Sequence, residues 1–200
     1  MICWKCKETI ESIICVGCST IQPPPPKPDF FAILSLQPTF FITVEEIGIA
    51  HRQKIRLVHP DRFVKKTAVE RRMSLQWTAI LNEAKRVLSQ PNIRARYIAT
   101  GEVHPKEVGG PRLDADFLEL IFDAQMELGM NSSDNNHSIL SNIQNMKQER
   151  LDDLHKIFIE WEKNKEKNKQ YSLERVELIL AEMKYLDNIL DTYQMQTSEQ

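Results

Sequence analysis

The stretch TVEEIGIAHRQKIRLVHPDRFVKKTAVE, residues 43–70, decides the fold of this 200-residue chain. Thr43 and Glu46 stand three positions apart before an apolar run, which is the spacing of a capping box at a helix start. Pro60 lacks the amide that would continue the helix and disfavours the helical conformation of the residue before it, so the helix should end at position 58 or 59. The apolar residues between these points recur at about the 3.6-residue helical period: Ile47, Ala50, Ile55 and Val58.

A second capping box, formed by Thr67 and Glu70, predicts that another helix follows at once and ends before Pro91. Its apolar stripe comprises Met73, Trp77, Ile80, Ala84 and Val87. The two helices should form an antiparallel pair, with His59 and Asp61 in the exposed turn between them.

The residues around this turn resemble the J-domain, the module that stimulates ATP hydrolysis by DnaK-class heat-shock chaperones. The resemblance covers roughly residues 28–97. It includes Asp29-Phe30-Phe31 with Leu34 as a short first helix, and the run Arg94-Ala95-Arg96-Tyr97 after the third helix.

The resemblance implies that His59, Pro60 and Asp61 engage the ATPase at its interdomain linker region. It also implies that the basic second helix docks on an acidic face of the ATPase through Arg52, Lys54 and Arg56. Lys54 departs from the family pattern, in which an apolar residue usually faces the third helix.

Two other interpretations of the tripeptide are an ordinary polar turn and an acid/base pair. Pro and Asp are common in turns, but turn chemistry accounts for neither capped flank. His59 and Asp61 could orient each other for proton transfer, but no suitable Ser or Cys nucleophile lies near them in sequence. We therefore expect a docking site and no active site.

The composition is that of an ordinary soluble protein, with 42% apolar and 27% charged residues. A net charge of -2 argues against a general nucleic-acid binder, so the basic stretch 52–66 is interpreted as a local docking face for an acidic protein surface. No apolar run approaches the roughly 18 residues that cross a membrane, and no secretory signal or Arg- and Ser-rich leader is visible. We expect a soluble intracellular chain without membrane association.

All four cysteines lie in the first eighteen residues, as two Cys-x-x-Cys pairs with eight residues between them: Cys3, Cys6, Cys15 and Cys18. Two such turns can complete a tetrahedral site with four sulfur ligands, most often for zinc. A closed site of this kind is structural, and metal ligation can supply on the order of 10 kcal/mol of folding free energy to a segment too short for its own core. We expect one zinc ion and no organic cofactor.

Iron in the same sulfur site, a disulfide pair and a thioredoxin-like redox pair are the alternatives. Residues 23–28 follow the cysteine segment as a proline-rich run, which predicts a semi-rigid spacer.

Three helical segments are predicted after Pro111, over residues 114–128, 138–167 and 172–194, joined by polar connections at 129–137 and 168–171. Neighbouring helices should run antiparallel in an up-down bundle.

The first of these segments has two apolar faces. Its core face comprises Phe117, Ile121, Ala124 and Leu128, and its second apolar face comprises Leu118, Phe122 and Met126. The third segment likewise has apolar residues off its main stripe, namely Leu178, Tyr185 and Ile189. A surplus apolar face either packs on another domain or binds a protein.

A J-domain followed by a three-helix bundle with Asp116-Phe117-Leu118-Glu119 and Lys184-Tyr185-Leu186-Asp187 resembles the HscB co-chaperones of iron-sulfur cluster biogenesis. The cysteine pairs in front resemble the eukaryotic branch of that family. The resemblance implies that the bundle binds an IscU-type scaffold through Leu118, Phe122 and Tyr185, with Glu119, Asp123 and Met126 as flanking residues.

The sequence thus predicts an all-α fold divided into a tetracysteine zinc knuckle (1–22), a proline linker (23–28), a J-domain (29–100) and a scaffold-binding bundle (101–200). The predicted function is that of a co-chaperone without its own active site, which delivers the scaffold to a DnaK-class ATPase and stimulates it. The alternative is a J-protein for another client, such as an RNA- or translation-linked factor bound through the knuckle. The family implies a mitochondrial location, and a cytoplasmic location is the alternative. The sequence does not decide between a monomer and a homodimer.

Overall fold

The computed structural model describes residues 2–104, 111–130, 133–163 and 169–198, and within these ranges the chain is all-α, as predicted. Seven α-helices and a short 3₁₀ helix, Pro60–Phe63, follow one another: α1 Phe30–Leu34, α2 Val44–Val58, α3 Ala68–Ser89, α4 Pro91–Thr100, α5 Ala115–Met130, α6 Ser133–Lys163 and α7 Lys169–Ser198. No helix in the described ranges is both long enough and apolar enough to span a membrane.

The chain forms two compact units, Met1–Arg94 and Ala95–Gln200. The cysteine segment and the helical hairpin therefore share one unit. The predicted division into four segments stays a prediction.

Both predicted capping boxes are present in the first unit. The Thr43 amide donates to Glu46 Oε2 at 2.8 Å, and the Glu46 amide donates back to Thr43 Oγ1 at 3.2 Å. The Thr67 and Glu70 pair repeats this at 3.0 and 3.3 Å. Each box pairs two amides that a helix start leaves without partners, so α2 and α3 begin where the sequence predicts.

The hairpin core is formed where α2 packs against α3, with α1 against both. Its buried side chains include Leu34, Phe40, Ile47, Val58, Trp77, Leu81, Ala84, Val87 and Leu88. The Ser74 hydroxyl ties the helices together, because it donates to the Val58 carbonyl at 2.6 Å at the end of α2. At the start of α4 the Arg94 guanidinium stacks over Phe40, 5.3 Å from the ring centroid, and donates to the Leu88 carbonyl.

The second unit is a bundle in which α5, α6 and α7 each pack against the other two. One core cluster contains Phe117, Ile121, Ile143, Leu186 and Ile189. Two ion pairs join α6 to α7, Lys147 with Asp187 and Arg150 with Glu182. The residue number rises along α6 as it falls along α7 in these pairs, so the two helices are antiparallel.

Three details of the bundle differ from the sequence prediction. Residues 129–137 were predicted as a connection because Ser, Asp and Asn compete locally with helical hydrogen bonds, but α5 extends to Met130 and α6 already includes Ser133–His137. Residues 168–171 were predicted as the second connection, but α7 begins at Lys169. Residues 131–132 and 164–168 lie outside the described residues. Ile189, predicted off the main stripe of α7, is 2% exposed. That prediction was wrong because α7 packs on both α5 and α6 and buries more than one stripe.

Removing the cap of α3 tests how far the hairpin depends on it. Thr67→Ala should lower the free energy of unfolding by about 1 kcal/mol at neutral pH, measured by urea unfolding. Burial opposes ionisation of Glu70, but hydrogen bonds from Thr67 keep its pKa below the ordinary value of 4.5. This stabilisation is complete above about pH 4.5 and is lost as the pH falls through the lowered pKa, so the cost of Thr67→Ala should shrink in acid.

Thr192→Ala is the matched control, since Thr192 is exposed and lies in the middle of a helix. It should change the free energy of unfolding by less than about 0.5 kcal/mol. A Thr67→Ala cost that is equally small, or that grows in acid, would contradict the capping account.

Candidate functional sites

The turn between α2 and α3 presents the predicted tripeptide to the outside. His59 ends α2, and its Nδ1 accepts a hydrogen bond from the Asp61 amide at 3.3 Å at the start of the 3₁₀ helix. The His59 and Asp61 side chains are 51% and 85% exposed, with His59 Nδ1 3.5 Å from Asp61 Oδ2. Pro60 is half-buried between them. The turn thus offers a ring and a carboxylate in a fixed mutual orientation.

The predicted basic residues of α2 differ in exposure. Arg52 and Arg56 are exposed, whereas Lys54, which departs from the family pattern, is half-buried. The Arg56 carbonyl accepts a hydrogen bond from Arg62 Nη1 at 2.8 Å, which holds another cation next to the turn.

A small groove beside the tripeptide escaped the sequence analysis. It is lined by Pro60, Asp61, Val64, Arg71 and Leu75. Val64 and Leu75 are 64% and 59% exposed, which is high for apolar side chains. The sequence signal that could have identified Leu75 is its position off the apolar stripe of α3, whereas Val64 follows the 3₁₀ helix before α3 begins.

The four cysteines converge at the start of the chain. All are free, and their Sγ atoms lie within 4.8 Å of one another, with Cys3 to Cys18 and Cys6 to Cys15 both at 3.6 Å. Four sulfur atoms around zinc at about 2.3 Å would be roughly 3.8 Å apart. The cluster therefore fits one tetrahedral metal ion.

The two Cys-x-x-Cys turns have the same backbone design. In the first, the Cys3 amide donates to the Glu8 carbonyl at 2.8 Å and the Lys7 amide donates to the Cys3 carbonyl at 3.1 Å. In the second, Cys15 and Ser19 take the places of Cys3 and Lys7. Lys7 and Ser19 both adopt left-handed conformations, with φ of 67° and 53°. The repeat turns two pairs of thiols toward one point.

Among these crowded sulfur atoms, the pKa values of Cys3 and Cys6 shift in opposite directions. Burial opposes ionisation of Cys3, but amides of Cys6 and Lys5 lower its pKa to about 6. The Glu8 amide favours the Cys6 thiolate, but burial and the neighbouring sulfur atoms together raise the pKa of Cys6 to about 12. Neighbouring thiolates repel one another, so a metal cation among them would favour ionisation of all four.

The knuckle, residues 2–22, also packs against the hairpin, which the sequence analysis did not anticipate. Trp77 Nε1, on α3, donates to the Gln22 carbonyl at 2.7 Å. The positive charge of Lys5 acts on Glu70 at the start of α3. After the exposed Pro23, Pro24 and Pro25 are half-buried, so part of the predicted spacer is covered.

The bundle exposes the predicted second face of α5. Leu118, Phe122 and Met126 are 41%, 59% and 42% exposed, and Tyr185 on α7 is 42% exposed. Glu119 and Asp123 are exposed as well, and with Asp116 and Glu127 they line a groove between α5 and α6 whose apolar lining includes Leu120 and Met146.

Comparison with known proteins extends the similarity over both units. No family model matches the chain. It is 26% identical over 200 residues to the iron-sulfur cluster co-chaperone protein HscB of Mus musculus, covering 94% of this chain and 79% of that protein. It is 41% identical over 70 residues to the co-chaperone protein HscB homolog of Bordetella avium (strain 197N), covering 35% of this chain and 42% of that protein.

Two solved structures share the fold. The crystal structure of human co-chaperone protein HscB superposes with a TM-score of 0.82 at 23% identity, covering 98% of each chain. Chaperone HscB from Vibrio cholerae superposes with a TM-score of 0.68 at 17% identity, covering 86% of this chain and 99% of that one.

A capped helical hairpin with an exposed His-Pro-Asp turn, followed by a helical bundle, is the arrangement that the resemblance to J-domain proteins predicts. Within that class the predicted relationship is confirmed: the chain is HscB-like in sequence and fold, and it carries a cysteine cluster positioned to bind a metal ion.

Metal analysis tests the cysteine cluster directly. Purified under reducing conditions and loaded with Zn²⁺, the chain should bind one ion, and X-ray absorption should give four sulfur ligands at about 2.3 Å. Cys18→Ser should reduce this to three. Thr20→Val, which removes only the hydroxyl 3.3 Å from Cys18 Sγ, is the control and should keep all four. Nitrogen or oxygen ligands in the unmutated chain would contradict the four-thiolate site.

Proposed function

We propose that the chain is an adaptor that binds an IscU-type iron-sulfur scaffold through its bundle and stimulates a DnaK-class ATPase through its hairpin. The observation that carries the proposal is the exposed His59-Pro60-Asp61 turn on a doubly capped hairpin, in a chain that is HscB-like over both units. In this proposal the adaptor catalyses no reaction of its own. Its partners are proteins and do not include nucleic acid or membranes. It acts in the mitochondrion or a related organelle.

The chemistry of the turn supports a protein partner for the hairpin. Asp61 and the exposed ring of His59 are available for hydrogen bonds, and Arg52 and Arg56 add positive charge on the adjoining helix. A partner with an acidic face would be attracted to that helix, and electrostatic attraction of this kind increases the rate and specificity of association. In J-domain proteins the matching surface is the ATPase beside its interdomain linker.

The exposed face of α5 supports scaffold binding by the bundle. Leu118 and Phe122 lie on the opposite side of the core stripe from Leu120, which lines the groove facing α6. Their face is therefore the α7 side of α5, and Tyr185 lies on α7. Exposed aromatic and aliphatic side chains of this kind are typical anchors of protein interfaces. Glu119, Asp123 and Met126 would flank them.

One chain that holds both partners changes the kinetics of chaperone action. A bound scaffold is kept near the chaperone at a raised effective concentration, and hydrolysis is triggered while the client is present. ATP hydrolysis then shifts the chaperone to the state that holds the scaffold, which favours cluster transfer. A structural zinc ion in the cysteine cluster completes the proposal.

His59→Gln tests the hairpin. Because the His59 side chain is 51% exposed, the variant should fold with unchanged helicity. It should nevertheless lose its stimulation of a DnaK-class ATPase, measured as single-turnover ATP hydrolysis. His104→Gln, at another exposed histidine, should stimulate normally. Normal stimulation by His59→Gln would overturn the proposed role of the turn.

Leu118→Ala combined with Phe122→Ala tests the bundle. Loss of two apolar anchors should weaken binding of an IscU-type scaffold at least about 30-fold, measured by calorimetry. Leu120→Ala is the matched control, because Leu120 is 45% exposed on the same helix but faces α6, and it should change the affinity less than about threefold.

Unchanged affinity in the double variant would reject this scaffold surface. If the unmutated chain stimulates the ATPase but binds no scaffold, the chain is a J-protein for another client, including one bound through the knuckle.

A further inference from the structure

Gln22 is the junction between the cysteine cluster and the helical hairpin. It is 2% exposed, and both ends of its side-chain amide are used inside the knuckle. Nε2 donates to Cys3 Sγ at 3.3 Å and to the Thr20 carbonyl at 2.8 Å, while Oε1 accepts from the Trp4 amide at 3.2 Å. Its backbone amide donates to the Ile13 carbonyl at 2.8 Å. The position of Gln22 is therefore set by the knuckle.

The backbone carbonyl of Gln22 points the other way, to α3. It accepts the indole N–H of Trp77 at 2.7 Å, in a buried contact. Trp77 is 4% exposed, and an indole has one N–H, which needs a partner when it is buried. One residue thus contacts a ligand sulfur with its side chain and the centre of the hairpin with its backbone.

Trp77 is close to the functional turn along α3. Ser74, one helical turn earlier, donates to the Val58 carbonyl at 2.6 Å, and Val58 directly precedes His59. A continuous series of contacts therefore runs from Cys3 through Gln22, Trp77 and α3 to the end of α2.

Besides the buried Ile21 next to Gln22, the knuckle has few buried apolar residues of its own to hold Gln22 in place. Its buried cluster consists of Cys3, Ile10 and Cys15, with Cys18 packed against them. Three of these four residues are metal ligands, so their order depends on the ion. A segment with so little apolar core folds only when a metal supplies the free energy.

We infer that the partner of the metal knuckle is the hairpin of its own chain, and that the metal-loaded knuckle acts as a clamp that stabilises α3. The Gln22–Trp77 hydrogen bond couples metal binding to the stability of α3. Metal loss frees the Gln22 carbonyl and leaves the buried Trp77 N–H without its acceptor. The clamp is independent of the identity of the chaperone or the client, and it gives the metal site a role in the stability of the docking hairpin.

Hydrogen exchange of the full chain, read by mass spectrometry, measures the coupling without any partner. The Zn²⁺-loaded chain is compared with the same chain after chelation, with reductant present to keep the thiols free. Peptides from α3 should exchange about fivefold faster after chelation, the effect of losing one buried hydrogen bond, while peptides from α6 should not change.

Trp77→Phe removes the indole donor and keeps an aromatic ring. In this variant α3 should exchange faster even with Zn²⁺ bound, and chelation should accelerate it little further, because the coupling is already cut. Trp161→Phe makes the same change on α6 in the other unit and should respond to chelation like the unmutated chain.

An α3 that exchanges at the same rate with and without metal overturns the inference. So does a Trp77→Phe variant that responds to chelation as strongly as the unmutated chain. If Trp77→Phe does not fold, the unmutated chain alone tests the inference. The clamp requires that chelation increase the hydrogen-exchange rate of α3 more than that of α6.

Discussion

The structure depends on the fact that Pro60 cannot donate a backbone hydrogen bond. α2 must end beside it, and the capping box at Thr67 starts α3 only a few residues later. Because the connection is so short, the chain reverses direction and the two helices pack together. The short 3₁₀ helix between them lies at the surface. His59 and Asp61 are exposed for this reason, and their mutual orientation follows from the hydrogen bond between the Asp61 amide and His59 Nδ1. The exposed turn is thus a direct consequence of where α2 ends and α3 begins.

A second constraint acts at the front of the chain, where four sulfur atoms are crowded together. The pKa of Cys3 is lowered and that of Cys6 is raised. One thiolate disfavours a second thiolate beside it. The cluster of four converging sulfur atoms is thus positioned to bind a metal ion. Its contact with α3 through Gln22 makes it part of the hairpin unit, where the sequence had indicated an accessory on a proline spacer.

The local features were predictable because they depend on neighbours in sequence. Thr43, Glu46, Thr67 and Glu70 act within one helical turn, and Pro60 acts on the residue before it, so the helix boundaries of the hairpin followed from the sequence. The cysteine pairs were equally predictable, since the two cysteines of each pair lie in one turn.

The features that were missed depend on contacts far apart in sequence. Ile189 is buried by α5 and α6 together, the 55-residue separation of Trp77 and Gln22 leaves no local signal, and Ser133–His137 become helical against the local preference of their side chains. The roles of the docking residues are predictions of a different kind, because a surface residue is defined by a partner.

The central claim is that one chain holds a chaperone and a scaffold at the same time. Its most direct test is sedimentation of a DnaK-class chaperone in its ATP state, an IscU-type scaffold and this chain, mixed together and in pairs. The account predicts a ternary complex with one copy of each, in which chaperone and scaffold sediment together only when this chain is present. Mutually exclusive binding, in which the scaffold displaces the chaperone from the chain, would contradict it.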